Sequence, residues 1–518
     1  MAFLIGSSST STFQLFTPVG IALSAGLLVV LLIGHFLYTN IRNIFFHPLK
    51  KIPGPKLAAG SGIPYSLHMR NGTMVDWLKQ LHDTYGEAVR VAPNEVSFIS
   101  GETAWADIYG FRTGKHKNTG PYLKDQAWFP QPINGSTSMI SADEANHSRM
   151  RRNMSHAFSD KALREQEPLV QQYVDLLVHR LGELAAENKQ VDIMQWYNYT
   201  TFDVICDLTF GEPLYCLRDS KEHIWVKLVY ANLATFGILS TRVKYPIFAY
   251  WDRLKLAFTN TKNIMATRMA FFNRVHDKVA ARLEKGTDRH DFFSYITKNQ
   301  EVEGKALTQK EMDTNAILFL SAGSETTATL LSGVTYLVLA NPATYAKLTH
   351  EIRAAFTSVN QITADSVSKL EYMLACLQEG LRMYPPVPTG FARIVPGQGD
   401  NISGHYIPGG TSVYISQHAM NHSSRYFHEP EKFAPERWLG DAEYAQDKRD
   451  IVQAFSYGPR NCLGKNLAFV EMRLILAKIL FTFDLELVDK KTDWMRGQKL
   501  FTLWNKPPLM VNLKPVKR

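Results

Sequence analysis

The chain has 518 residues, 45% of them apolar, with 57 lysines and arginines against 48 aspartates and glutamates. That composition excludes a disordered chain and suits either one unusually large core or two to four ordinary ones. The net charge of +9 is modest for this length, and no basic stripe interleaves with aromatics, so an acidic protein or anionic lipid is favoured over nucleic acid.

Taken from the N-terminus, Val19 to Tyr38 is apolar and uncharged. About 20 such residues in a helix span about 30 Å, the thickness of a bilayer core. No basic segment precedes them, unlike a cleaved signal. Residues 1–41 are therefore expected to be a membrane anchor with its helix at about 19–38. Arg42, Lys50, Lys51 and Lys56 follow it, which places the body in the cytosol by the positive-inside rule. On that topology the sequons at Asn71, Asn134, Asn146, Asn198, Asn401 and Asn421 stay unglycosylated.

Residues 42–59 hold Pro48, Pro53 and Pro55 and read as a stiff tether. Residues 60–518 show no further linker or repeat, so one large domain is expected. Arg90 to Ile99 reads as a hairpin. Helical periodicity then dominates, near 141–158, 160–186, 190–210, 223–239, 251–285, 309–340, 342–356, 366–383 and 463–481. Strand-like runs occur near 389–395, 404–416 and 501–514, so the fold class is mainly α with minor β. The aromatic run Tyr245 to Trp251 suits core, a pocket lid or a second membrane contact, with core the default expectation.

The cysteines are Cys206, Cys216, Cys376 and Cys462, with no CxxC pair and no zinc spacing. One of them stands apart. Cys462 lies in Phe455-Ser456-Tyr457-Gly458-Pro459-Arg460-Asn461-Cys462-Leu463-Gly464, ahead of an apolar helical pattern. A helix N-terminus favours thiolate over thiol. Gly458 and Gly464 let backbone approach a flat bulky group, and Arg460 suits an anionic substituent on it. The residues themselves indicate a metal-ligating or nucleophilic thiolate.

This run resembles the haem-binding loop of the cytochrome P450 family, Phe-x-x-Gly-x-Arg-x-Cys-x-Gly, at every fixed position. The resemblance implies a cytochrome P450 fold holding haem b (iron protoporphyrin IX), with Cys462 as the proximal iron ligand and Phe455 beside the sulfur. Thiolate ligation favours O–O cleavage.

The likeness extends along the chain. Ala322-Gly323-Ser324-Glu325-Thr326-Thr327 lies inside the 309–340 helix. A mid-helix glycine is costly there, and the hydroxyls can loosen a helix by bonding back, so room for a small ligand is expected at Gly323. The segment is similar to the family's oxygen-binding helix, which implies that Thr326 steadies dioxygen and Glu325 relays protons, with Ala322 and Gly323 on the distal face. The family pattern joins Glu379, Arg382 and Arg437 in a buried charge network. His147 and Arg151 match a pair that binds haem propionates, although the family usually has Trp where His147 stands; Arg393 matches a further propionate-binding arginine. Arg149, Arg152 and Lys465 are left to present a basic surface to an acidic electron donor. The pocket walls are expected from the loop at 115–135, from 212–252, from Phe319 and Ala322, from Val387 to Phe391 and from Phe501 to Trp504.

The implied activity is oxygen insertion into an apolar small molecule. Electrons would come from NADPH-cytochrome P450 reductase, with cytochrome b5 as an optional second donor, at the endoplasmic reticulum membrane. General likeness points to filamentous-fungal specialised metabolism of terpenoid, polyketide or alkaloid type. The rival readings are a reductase-independent isomerase or dehydratase, a non-catalytic haem carrier and, more distantly, a cysteine hydrolase.

Overall fold

The computed structural model of the chain describes residues 17–517 except 118, 130–132, 259–262, 286–288, 299, 301, 303 and 305. The first helix runs Pro18–Phe45, longer than expected. Thr17 caps it by accepting the Gly20 N–H at 3.1 Å, and Pro18 sits where a missing N–H costs nothing. None of its residues is buried, and it is long and apolar enough to cross a membrane. Its C-terminal end is fixed to the body: Asn43 donates to the Gly60 carbonyl at 2.9 Å, and Arg90 donates to the Asn43 carbonyl at 2.9 Å.

The proline segment does not hang free. Leu49 and Ile52 are buried, and Pro53 accepts the Arg90 N–H at 2.8 Å. The expected hairpin forms from Ala88–Ala92 and Glu95–Phe98. These two strands open a five-stranded sheet, continued by Ser412–Ile415, Arg393–Ile394 and Leu123–Lys124 in that spatial order. The Glu95–Phe98 and Ser412–Ile415 strands pair in parallel, Val96 opposite Val413. Arg393 faces Lys124 across the antiparallel edge pair, so two cations distant in sequence become neighbours.

The helices are packed around Gln309–Ala340, the central helix. Its N-terminus carries a capping box: Thr308 accepts the Glu311 N–H, and the Glu311 carboxylate accepts the Thr308 N–H. The helix Ile193–Phe210 lies along it, buried from end to end except at Met194 and Gln195. They approach closely at Gly323, where a Cβ would stand 2.5 Å from Ile205 Cδ1. The bare glycine is thus occupied by a neighbouring side chain, which accounts for a residue that helix propensity alone disfavours. The helix also stays regular through Ser321, Ser324 and Thr326, which bond back to the carbonyls four residues earlier.

The spans Asp160–Ala186 and Gln309–Ala340 coincide with their periodicity. The stretch at 251–285 instead divides into Pro246–Phe258 and Asn263–Glu284, with 259–262 outside the described residues. The tract from Tyr245 to Trp251 departs most from expectation. Ile247, Tyr250, Trp251 and Leu254 are 56–65% exposed and share one face of the Pro246–Phe258 helix. The buried side of that helix is held by Asp252, which pairs with Arg70 and, at 2.6 Å, with Arg242. An aromatic-rich run reads as core by composition, but here it coats the surface.

Candidate active site

Cys462 is the only one of the four cysteines that is exposed. Its thiol opens into an internal cavity of about 260 Å³. The loop holding it turns sharply: Ser456 and Gly458 have φ of 63° and 73°, and Phe455 accepts the Cys462 N–H at 2.8 Å. Gly458 is required twice over, by its φ and because a Cβ would collide with the Tyr109 carbonyl. The following helix begins at Lys465, three residues past the cysteine. Burial pushes the Cys462 thiol above its ordinary value, and the Gly464 N–H, Arg151 and Lys465 offset only part of this. The helix end therefore does not by itself produce a thiolate; a bonded cation would have to complete it.

Opposite the cysteine, the cavity is walled by Leu318, Ala322, Gly323, Thr326 and Thr327 of the central helix. Phe319 does not take part: it turns toward Phe158 and Phe292, with ring centroids 5.9 and 5.4 Å away. Pro386, Val387, Thr389, Gly390 and Phe391 close one side as expected, while Ile205, Leu381 and Met139 contribute apolar wall that the sequence did not flag. No residue of 212–252 or 501–504 lines it among the described residues. Trp504 supports the wall from behind, stacking on Tyr384 at 5.1 Å and donating to the Pro385 carbonyl at 2.9 Å. The Thr326 hydroxyl donates to the Ala322 carbonyl at 2.7 Å. Glu325 points elsewhere, fully buried and paired with Lys506, while Thr329 lies 3.2 Å from its carboxylate.

One rim of the cavity gathers basic side chains. Lys124, His147, Arg151 and Arg460 border it, and Arg393 stands close behind, buried against the Tyr109 ring. Burial, followed by Arg393 and Arg460, drives the Lys124 ammonium well below its ordinary value. Burial likewise lowers Arg393 to about 10. His147 falls to about 3, from burial first and then Arg460, Arg151, Lys124 and Arg393, so it is a neutral imidazole. Arg393 Nε and Nη1 and His147 Nδ1 find no hydrogen-bond partner among the described residues. Buried donors left open in an electropositive rim fit the acidic edge of a flat apolar group. Gly464 leaves space on the cysteine side, its nearest neighbour being Phe158 at 3.9 Å. Lys124 is the contribution of the expected 115–135 wall, but no motif marked it as a rim cation, because only the sheet places it beside Arg393.

The remaining cations are committed to protein partners. Arg460 pairs with Glu144 at 3.0 Å and donates to the Ala142 carbonyl at 2.9 Å. Arg151 donates to the Asn461 carbonyl and side chain at 2.7 and 2.6 Å, bracing the cysteine loop. Arg149 is not spare either: it pairs with Glu311 and so ties the Glu144–Met154 helix to the start of the central one. Arg152 and Lys465 remain beside a groove behind the cysteine loop, with Phe111 and Tyr457.

Glu379, Arg382 and Arg437 meet with no solvent exposure at all. Arg382 grips Glu379 through Nε at 2.9 Å and Nη2 at 2.8 Å, and Arg437 Nε donates at 3.0 Å. Trp438 Nε1 and the Ala434 N–H complete the carboxylate's shell at 2.9 and 3.1 Å. Asp447, unmarked in the sequence, balances the second guanidinium by pairing with Arg437. Burial acts to raise the Glu379 carboxyl, but Arg382, Trp438 and Arg437 outweigh it and hold it below the ordinary carboxylate range.

A mainly helical shell with a small mixed sheet, and one cysteine facing a cavity floored by a sharp loop, fit a protein that holds a flat cofactor through a cysteine. Comparison with known proteins agrees: the Cytochrome P450 family model matches residues 53–513. The chain is 47% identical to cytochrome P450 monooxygenase lcsI of Purpureocillium lilacinum, over 99% of this chain and 98% of that protein. It is 46% identical to cytochrome P450 monooxygenase traB of Penicillium crustosum, over 95% and 97%. It is 40% identical to cytochrome P450 monooxygenase efuB of Hormonema carpetanum, over 92% and 94%. The chain belongs to the cytochrome P450 family.

Proposed function

We propose that this chain is a haem-thiolate monooxygenase that inserts one oxygen atom of O2 into an apolar small molecule of fungal specialised metabolism. NADPH-cytochrome P450 reductase, assisted by cytochrome b5 where present, would supply the electrons. The observation that carries the reading is the cavity itself. Its floor is the thiol of Cys462, its far wall is Ala322 and Thr326, and its rim holds His147 with Arg393 close behind, where His147 Nδ1 and Arg393 Nε and Nη1 have no hydrogen-bond partner among the described residues. Fungal relatives bearing the name monooxygenase along nearly the whole chain support it.

Haem b, when bound through Cys462, supplies dioxygen activation at iron. The chain's own residues do the rest. Cys462 holds the metal, and Arg393, Lys124 and His147 receive the acidic edge. Phe391, Val387, Leu318 and Leu381 exclude water and position an apolar substrate. Thr326 presents a hydroxyl at the distal wall, where it can accept or pass a proton. The terpenoid, polyketide or alkaloid class of substrate rests on the fungal relatives alone.

The Pro18–Phe45 helix and the exposed face of Ile247, Tyr250, Trp251 and Leu254 support residence on the endoplasmic reticulum membrane, with the body in the cytosol. We assign residues 1–41 to the anchor, 42–59 to the tether and 60–518 to the haem domain. The test is the carbon-monoxide difference spectrum of the reduced full-length protein, followed by mass analysis of products formed with reductase. A long-wavelength Soret band and a gain of one oxygen are expected, and both are lost in Cys462→Ser. A serine variant that keeps either would refute the reading.

A further inference from the structure

Four oxidisable rings form a line from the cavity wall to the surface. Trp504 lies one residue behind that wall: its indole N–H donates to the Pro385 carbonyl at 2.9 Å, and Pro386 lines the cavity. Tyr384 stacks on Trp504, with centroids 5.1 Å apart and planes 19° apart. Trp494 follows at 5.9 Å from Tyr384, and Tyr336 at 5.7 Å from Trp494. Every step falls within the range of about 4.5–7 Å for rings in direct contact. Tyr384 is seated against Gly333, where a Cβ would stand 2.3 Å from its ring. Trp504, Tyr384 and Trp494 are buried. Tyr336 is half-buried, and its hydroxyl donates at 3.1 Å to the exposed carboxylate of Asp493.

We propose that these rings are an electron conduit, through which Tyr336 quenches oxidising equivalents stranded in the cavity when no substrate is there to take them. The inference rests on the haem reading of the cavity and adds a function beyond oxygen insertion. The oxidant is haem that has reacted with a peroxide, and it gains one electron. Tyr336 loses that electron, which crosses Trp494, Tyr384 and Trp504 in turn. The phenol proton of Tyr336 passes to Asp493, leaving a neutral tyrosyl radical. A soluble hydrogen-atom donor such as ascorbate restores the phenol, and Asp493 returns its proton to water.

Hydrogen bonds decide where the line ends. The Tyr384 hydroxyl is bonded to the Gln498 side-chain oxygen. An amide takes up no proton near neutrality, so Tyr384 bridges the two indoles and does not keep the oxidation. Trp494 and Trp504 donate to the Pro507 and Pro385 carbonyls, which take no proton either, so both indoles pass the charge on. Asp493 is a carboxylate within reach of a phenol proton, and it makes Tyr336 the terminus. Another pair near the cavity, Trp105 and Tyr109, has rings 5.2 Å apart. Both are buried, and Arg393 lies over Tyr109. A cation there opposes removal of an electron. Among the described residues no cation lies over the four rings of the proposed line.

The test uses the full-length, haem-loaded protein without substrate. Hydrogen peroxide is added together with a nitroso spin trap, and the adduct is located by peptide mass mapping. It is expected on Tyr336, and it should be lost in Tyr336→Phe and in Trp494→Phe, which keeps a buried ring. If Trp494→Phe fails to retain haem, Trp504→Phe carries the same test. An adduct that persists in the tryptophan variant overturns the proposal. So does one that forms in the haem-free chain, since peroxide then reaches Tyr336 from solution. A wild-type protein with the long-wavelength Soret band, but no adduct on Tyr336, overturns the conduit and leaves the function standing. Absence of the Soret band in the wild type brings both down.

Discussion

Replacing Glu379 with alanine probes the least solvated charges in the molecule. The carboxylate accepts five hydrogen bonds, from Arg382 twice, Arg437, Trp438 and Ala434. Its loss leaves Arg382 with carbonyl partners only, at Asn421, Pro430 and Lys432. Arg437 still has Asp447, so one uncompensated buried cation remains. Removing one partner of such a pair costs about 3–5 kcal/mol. Unfolding entropy of about 2.1 cal/mol/K per residue makes a domain this large lose only about 1 °C per kcal/mol. The expected drop in Tm is therefore about 3–5 °C, small enough to need calorimetry or urea midpoints, accompanied by faster haem loss. Glu379→Gln, which keeps an acceptor, should fall between. The sign with pH follows from the lowered carboxyl: its contribution is complete above the ordinary glutamate range and fades as pH falls through the folded value. A Glu379→Ala protein with wild-type Tm and haem retention would refute the claim that this carboxylate holds the two arginines in place.

Arg393→Met removes a buried cation with open donors; it should leave the Tm of the haem-free chain unchanged or raised while haem dissociates faster, followed by transfer to apomyoglobin. Gly458→Ala forces a residue at φ 73° against the Tyr109 carbonyl and should destabilise by more than about 1 kcal/mol, read as loss of the Soret band before loss of far-ultraviolet helix signal. His82 is buried between the Gly86 carbonyl and the Ser97 hydroxyl at 2.8 Å each, and burial lowers it to about 4. The unfolded chain therefore takes a proton first, and stability falls as pH drops from about 6.5 toward 4, by up to about 1.4 kcal/mol per pH unit; His82→Asn should flatten that slope in urea titrations. In vesicle-reconstituted full-length protein, a bilayer-confined quencher should reach Trp251, and Trp251→Phe should remove the quenched component.

Local signals carried the family and much of the helical frame. Ten consecutive residues around Cys462 carried the resemblance, and the family membership they suggested is borne out across residues 53–513. The helices 160–186 and 309–340 were legible because burying one face imposes a period that each segment carries within itself. The order of the charged motifs was legible for the same reason, since each is a short run.

What no local pattern could decide is which side chains converge. Lys124, Arg393 and Arg460 form one electropositive rim only because a sheet edge and the cysteine loop meet there. Lys506, far along the chain, pairs with Glu325 away from the cavity, and the packing of the central helix puts Leu318 rather than Phe319 on its wall. The exposed Ile247 to Leu254 face shows the same limit, because hydrophobic burial is non-directional and composition does not say which apolar surface finds protein. Sequence determined the chemistry available at each position. Only the folded chain, by bringing charges within Coulombic reach and excluding water between them, determined which of those groups are paired and which stay open to a ligand.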